Sequence, residues 1–263
     1  MENILYFWDT NQVLLFLFVI GIVAGLVDTI AGGGGLITVP SLLLAGVPPI
    51  IALGTNRLQA SMGELSASVN FFLRSKIDFN HLPMGALFVA IGAGSGSYAV
   101  SIISNEALKL IIPFLMVAIT IYSIFSKRLK NSVSVHAKIT ILRFMIICGL
   151  LIGFYNGFFG PGVGSIWILA STLLLGYSLK EASIFSKPLN LIGNIVSLIF
   201  FIFIGTINYK IAFVMGTGQI IGATLGSHMV IKDGDRMSRP VFITVTATMT
   251  LKLLYENFHK SFF

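Results

Sequence analysis

The chain has 263 residues, of which 56% are hydrophobic and only 10% charged; its mean hydropathy is +0.93 and its formal net charge +7. A soluble domain of that length could bury a core but would still need a polar surface, and no long polar stretch supplies one. Composition therefore excludes a soluble protein and points to a polytopic, all-α membrane protein. The single cysteine, Cys148, excludes an internal disulfide and any cysteine cluster for zinc or iron and sulfur, and the four histidines have no metal spacing, so neither metal nor cofactor is expected.

Before the first apolar run the tail carries Glu2 and Asp9 but no Lys or Arg, and no small-residue cleavage pattern follows that run. The first run thus reads as a membrane anchor that stays attached, not as a signal peptide. Polar and Gly/Pro breaks then cut the chain into apolar segments near 12–31, 35–51, 52–73, 81–104, 108–126, 139–158, 163–179, 181–205, 209–231 and 240–256, about ten in all. A spanning helix needs about 20 apolar residues, which makes the short second and seventh segments candidates for half-helices.

The basic residues alternate between the two sets of loops. Arg74 and Lys76, then Lys127, Arg128, Lys130 and Lys138, then Lys180, then Lys232, Arg236 and Arg239 fall in one set, whereas the other holds only Lys109, Lys210 and Lys260, with Lys252 near the end of the last segment. The positive-inside rule then puts both termini outside and makes 127–138 a cytoplasmic linker. If the first two segments formed a re-entrant hairpin, the later assignments would be the same. The net charge is accounted for by topology, with no nucleic acid among the expected partners.

Two stretches resemble each other. Gly25 to Pro40 reads GLVDTIAGGGGLITVP, and the region from Gly153 reads GFYNGFFGPGVGSIWIL, so that a shift of 128 lays Gly25 on Gly153, Asp28 on Asn156, Gly32 on Gly160 and Gly34 on Gly162. Further on, a shift of 130 lays Asn56-Arg57 on Ser186-Lys187, Glu64 on Asn194, and Gly92 and Gly96 on Gly222 and Gly226. Duplication is the economical explanation, and five segments per copy, an odd number, would insert the copies in opposite orientations. The expectation is one transporter domain over 1–263, with repeat 1 over about 12–126 and repeat 2 over about 139–256.

Consecutive glycines inside apolar surroundings mark an unwound point, because glycine loses the most backbone entropy on ordering. At such a break in the membrane, unpaired N–H groups and the helix dipole favour an anion. Gly32, Gly33, Gly34 and Gly35, with Gly160 and Gly162, are therefore candidate substrate contacts. Gly92, Gly96, Gly222 and Gly226 read instead as sites of close helix packing. Arg57 and Lys187 could flank one central anion, Arg57 by planar bidentate donation and Lys187 as a point charge; the alternative, left open, is that both snorkel to an interface. Asn56, Ser186 and Asn190 would add neutral hydrogen bonds. Asp28 and Glu64 are acids within apolar spans and are candidates for proton coupling. Against that role, Asp28 reads better as a cap on the broken helix, and Glu64 could pair with a basic group.

The glycine stretch with Asp28, the ALGTNR run at Ala52 to Arg57, the KID turn at Lys76 to Asp78 and the second-half GFYNGFFGPGVG resemble the TauE/SafE family of sulfite exporter-like proteins, also called the toluene sulfonate uptake permease family. The resemblance covers nearly the whole chain. It implies a transporter of small sulfur-containing oxyanions such as sulfite, sulfonates or sulfoacetate. Where that family often has a Thr- or Ser-rich run, Ala182 to Lys187 followed by Pro188 stands here.

The expected activity is alternating-access transport of a small anion in a bacterial cytoplasmic membrane, with the anion and the lipid bilayer as partners and homo-oligomerisation left open. An anion channel would use the same glycines and cations. A membrane-embedded enzyme is the remaining rival, because His228 and Asp233 have a spacing used by some acyltransferases; no further catalytic motif accompanies them.

Overall fold

The computed structural model describes residues 10–75, 80–104, 106–108, 111, 114–115 and 137–232, and all regular structure among them is helical. The first apolar run forms α1, Thr10–Ala31. It stops at Gly32, whose φ of +73° a side chain would resist, and the chain restarts as α2, Gly35–Leu44. At about 1.5 Å per residue, ten residues reach about 15 Å, half a hydrocarbon core. The second half repeats this pattern. The helix α5, Ile141–Phe158, breaks across Gly160 and Gly162, with φ of +91° and +79°, and is followed by the short α6, Val163–Ala170, and a π-helical turn, Ser171–Leu175.

The long helices between and after the breaks follow the apolar runs. They are α3, Pro49–Arg74; α4, Leu82–Ser101; α7, Leu179–Phe203; and α8 over 209–232. One boundary differs from the sequence expectation: the chain leaves α2 at Leu44 and begins α3 at Pro49, not after residue 51. Hydropathy runs unbroken through that stretch. Proline decides the boundary, because at the first helical position its missing N–H is no loss and its φ is preset. In α7 a capping box performs the same task, with Ser178 and Glu181 each bonding the other's backbone N–H. The expected segment 240–256, most of 108–126 and residues 127–136 of the linker lie outside the described residues.

Burial is inverted relative to a soluble protein. Leu15, Leu151 and Phe203 are 65, 67 and 84% exposed, whereas Arg57, Gln59, Glu64, Asn156, Lys187, Asn190 and Asn194 are all buried. Apolar outside and polar inside is the arrangement that lipid selects. Among the described residues α1, α4, α5 and α7 are each long and apolar enough to cross a membrane. In contrast α3 carries a buried polar face, which lowers its hydropathy, and crosses the core of the bundle.

The two halves interlock through their glycines. On α1, Gly21 and Gly25 lie against the backbone of Met215 and Gln219 on α8, while Gly218 and Gly222 of α8 lie against Phe18 and Ile22. At the matched places, Gly149 and Gly153 on α5 lie against Phe88 and Val89 on α4, while Gly92 and Gly96 lie against Leu150 and Phe154. An added Cβ at Gly92, Gly96 or Gly222 would overlap a neighbouring carbonyl, so these positions serve backbone approach, as the sequence reading expects. The first helix of each half thus packs on the other half. Beside this crossing, α3 packs on α7, which brings the polar faces of both into the interior.

Candidate functional site

Arg57 and Lys187 each lie eight residues past the first residue of their helices, α3 and α7, and are 1% and 0% exposed. Neither snorkels. A buried cation needs an acceptor, and each finds it on the first helix of the opposite half.

Lys187 Nζ lies 2.6 Å from Asp28 Oδ2, and the other carboxylate oxygen, Oδ1, accepts the Gly34 N–H at 3.0 Å. Asp28 therefore caps the break, as its sequence position suggests, and also neutralises a cation. The absence of a side chain at Gly34 makes room, because a Cβ there would stand 2.6 Å from that of Asp28. Gly32 packs on Gly164 and Gly35 on Pro161, so the two breaks touch. Ser165 fastens them further, its hydroxyl donating to the Ala31 carbonyl at 2.7 Å and its N–H to that of Gly32 at 3.1 Å.

Arg57 engages the matched position, Asn156. Its Nη1 donates to Asn156 Oδ1 and to Asn194 Oδ1, both at 2.8 Å, and its Nη2 donates to the Asn156 carbonyl. Its Nε is buried without a hydrogen-bond partner. Gly160 faces the guanidinium, and a Cβ there would overlap it. Asn194 Nδ2 donates to Glu64 Oε2 at 2.8 Å and Asn190 Nδ2 to Glu64 Oε1, while Asn156 Nδ2 reaches Asn190 Oδ1 at 3.2 Å. Glu64 is thus joined to Arg57 through amides, and not paired directly with a base.

The remaining candidates divide. Asn56 Oδ1 accepts from Thr38 at 2.6 Å and from Gln59 at 2.7 Å, which ties α2 to α3. Ser186 donates to the Ser183 carbonyl, and Ser183 to that of Thr29. Gly33 accepts from the Leu36 N–H, and Gly162 precedes α6. Asn156 and Asn194 join the cluster without having been nominated from the sequence; the available signal was that each is the repeat partner of an intramembrane acid. Among the described residues no group of three or more His, Cys, Asp or Glu is placed to hold a metal. His228 bonds the Thr224 carbonyl through Nδ1 and Arg74 through Nε2, and Asp233 lies outside the described residues.

A family model described as sulfite exporter TauE/SafE matches residues 17–253, across both halves and every residue of the cluster. The chain belongs to the sulfite exporter TauE/SafE family. Among the relatives that it matches, a probable membrane transporter protein of Haemophilus influenzae is 39% identical over 94% of this chain and 96% of its own length. A probable membrane transporter protein of a Sinorhizobium species is 38% identical over 94% and 95% of the two chains. The probable membrane transporter protein YfcA of Escherichia coli K12 is 37% identical over 92% and 89%. No solved structure matches the chain.

Proposed function

We propose that this TauE/SafE member is a secondary transporter of small anions, with sulfur oxyanions such as sulfite and sulfonates as its substrate class, working by alternating access between two inverted repeats. The observation that carries the reading is the reciprocal crossing: Lys187 of one half holds position 28, and Arg57 of the other holds its repeat partner, position 156. Such a junction is rebuilt when one half rocks against the other. The breaks are packed on each other, Gly32 on Gly164 and Gly35 on Pro161, so that rocking would have to part them before a ligand could meet bare backbone, and buried Arg57, whose acceptors are neutral oxygens, supplies the charge an oxyanion needs. The names of the relatives support a membrane transporter, and no catalytic role is assigned to His228.

The charge balance suggests the coupling. Two cations, Arg57 and Lys187, and two acids, Asp28 and Glu64, sum to zero when ionised. Adding an anion to a neutral, water-poor cluster is expensive unless a proton enters with it. Glu64 is suited to carry that proton, because the Asn190 amide, whose oxygen accepts only from the amide of Asn156, can turn to accept from a protonated carboxyl, while Asn194 keeps its oxygen on Arg57 and donates to the remaining carboxyl oxygen. Proton-coupled movement of one anion follows.

The test is a ligand screen on the purified full chain, scored by thermal shift, against sulfite, thiosulfate, sulfonates, sulfoacetate and carboxylates. A ligand at 100 times its Kd should stabilise by about 2.7 kcal/mol. Stabilisation by anions alone supports the site; hits confined to uncharged or cationic compounds remove its chemical basis. Arg57→Ala should lose anion transport in cells while still inserting into the membrane, and normal flux in that variant would refute the role of the cation; Lys187→Ala, which strands the Asp28 carboxylate without its cation, should lose transport by breaking the crossing and not a ligand contact.

A further inference from the structure

The two junctions share one construction and differ in one chemical group. At the first, a buried cation, Lys187, meets a carboxylate, Asp28, which also takes the N–H of Gly34. At the second, a buried cation, Arg57, meets an amide, Asn156, beside the glycine turn at Gly160 and Gly162, where Gly162 matches Gly34. One junction already contains its anion, built into the chain. The other has the cation and the turn but no acid in contact with the cation, since Glu64 is reached only through the amides of Asn190 and Asn194.

We propose that the transported anion binds at the second junction, against Arg57 and the Gly160–Gly162 turn, in the role that the Asp28 carboxylate fills at the first. The Lys187–Asp28 pair is then no substrate contact but a fixed internal copy of the occupied state. This assignment rests on the anion-transporter reading and narrows its site to one half.

Three observations carry it. First, the acceptors now on Arg57 are neutral amide and carbonyl oxygens, which a charged oxygen outcompetes because charge-assisted hydrogen bonds are roughly twice as strong. Lys187 already holds a carboxylate at 2.6 Å, so an incoming anion gains nothing by displacing it. Second, Arg57 Nε is buried with no partner, a donor awaiting an acceptor. Third, Gly160 has no side chain where the guanidinium packs, so the Arg57 fork lies directly against the backbone of the turn that matches the one at Asp28. Asn156 completes the exchange: its side chain can turn to present N–H instead of oxygen to the newcomer, which an aspartate could not do. A planar fork with a second donor edge selects ligands that offer two oxygens from one centre, as sulfite, sulfonates and carboxylates do.

The experiment titrates purified full-length protein with sulfite and with methanesulfonate by calorimetry. The Asn156→Asp variant should carry its own occupant and bind either probe at least about tenfold more weakly than the unmodified chain, a loss of about 1.4 kcal/mol, while remaining folded by circular dichroism. The Asp28→Asn/Lys187→Met double variant removes both members of the other pair, a change that buried pairs tolerate better than loss of one partner, and its Kd should move by less than about threefold. Undiminished affinity in the Asn156→Asp variant overturns the assignment, and so does loss of binding in a folded double variant. Either arm decides alone if the other variant does not fold. If the unmodified chain binds neither these probes nor any other anion, the transporter reading itself has failed, which is a different result.

Discussion

A methyl group at Gly160 would overlap the Arg57 guanidinium, and the φ of +91° there is one that side chains rarely adopt. Gly160→Ala should therefore cost about 1–3 kcal/mol of stability from backbone strain alone and abolish transport by displacing Arg57; denaturant unfolding and uptake assays measure the two effects. Glu64 makes a separable prediction. Glu64→Gln keeps a hydrogen-bonding group of the same shape between Asn190 and Asn194 but cannot exchange a proton, so the variant should still bind anions and lose its response to a pH gradient. Retained gradient-driven accumulation would remove Glu64 from the coupling. Much of this cluster was legible in the sequence, because Arg57, Lys187, Asp28 and Glu64 are charges where lipid should forbid them. Which of them pair was not legible. That Lys187 reaches Asp28, 159 residues away, depends on helices crossing between halves, and Asn156 looks in the sequence like a lost acid rather than a partner for Arg57.

At the level of elements, the glycine seams separate two kinds of glycine. Gly222 on α8 has the Ile22 carbonyl where its Cβ would be, whereas a Cβ on Gly94 of α4 would meet only side-chain atoms of Phe200 and Val196 at 3.7 and 3.9 Å. Gly222→Ala should push α1 from α8 and lower the folded yield and unfolding temperature. Gly94→Ala should be neutral or stabilising by up to about 1 kcal/mol, the intrinsic helix preference for alanine. Equal effects in a thermal-unfolding comparison would contradict the packing described. Apolar run length placed the long helices well, since lipid thickness sets it. The start of α3 was misjudged because apolarity continues through Val47 while the boundary is made by backbone chemistry at Pro48 and Pro49. The π turn over Ser171–Leu175 has no periodicity cue that would set it apart from α6.

For the molecule as a whole, charge placement and duplication make claims that packing alone does not test. In a Cys148→Ala background, Asn131→Cys should react with an impermeant maleimide only in inverted vesicles, and Asn11→Cys only in intact cells; labelling of Asn131→Cys from outside would reverse the topology proposed. Position 57 meets 156 and position 187 meets 28 across the halves, and the rocking motion proposed above would exchange that pair of contacts. If this crossing binds and moves an anion, proteoliposomes of the purified chain should take up sulfite under an imposed pH gradient. Uptake should saturate, follow the gradient and be lost in Arg57→Ala; correctly folded protein that carries no anion, or carries it without saturation and indifferently to the gradient, would rule that out.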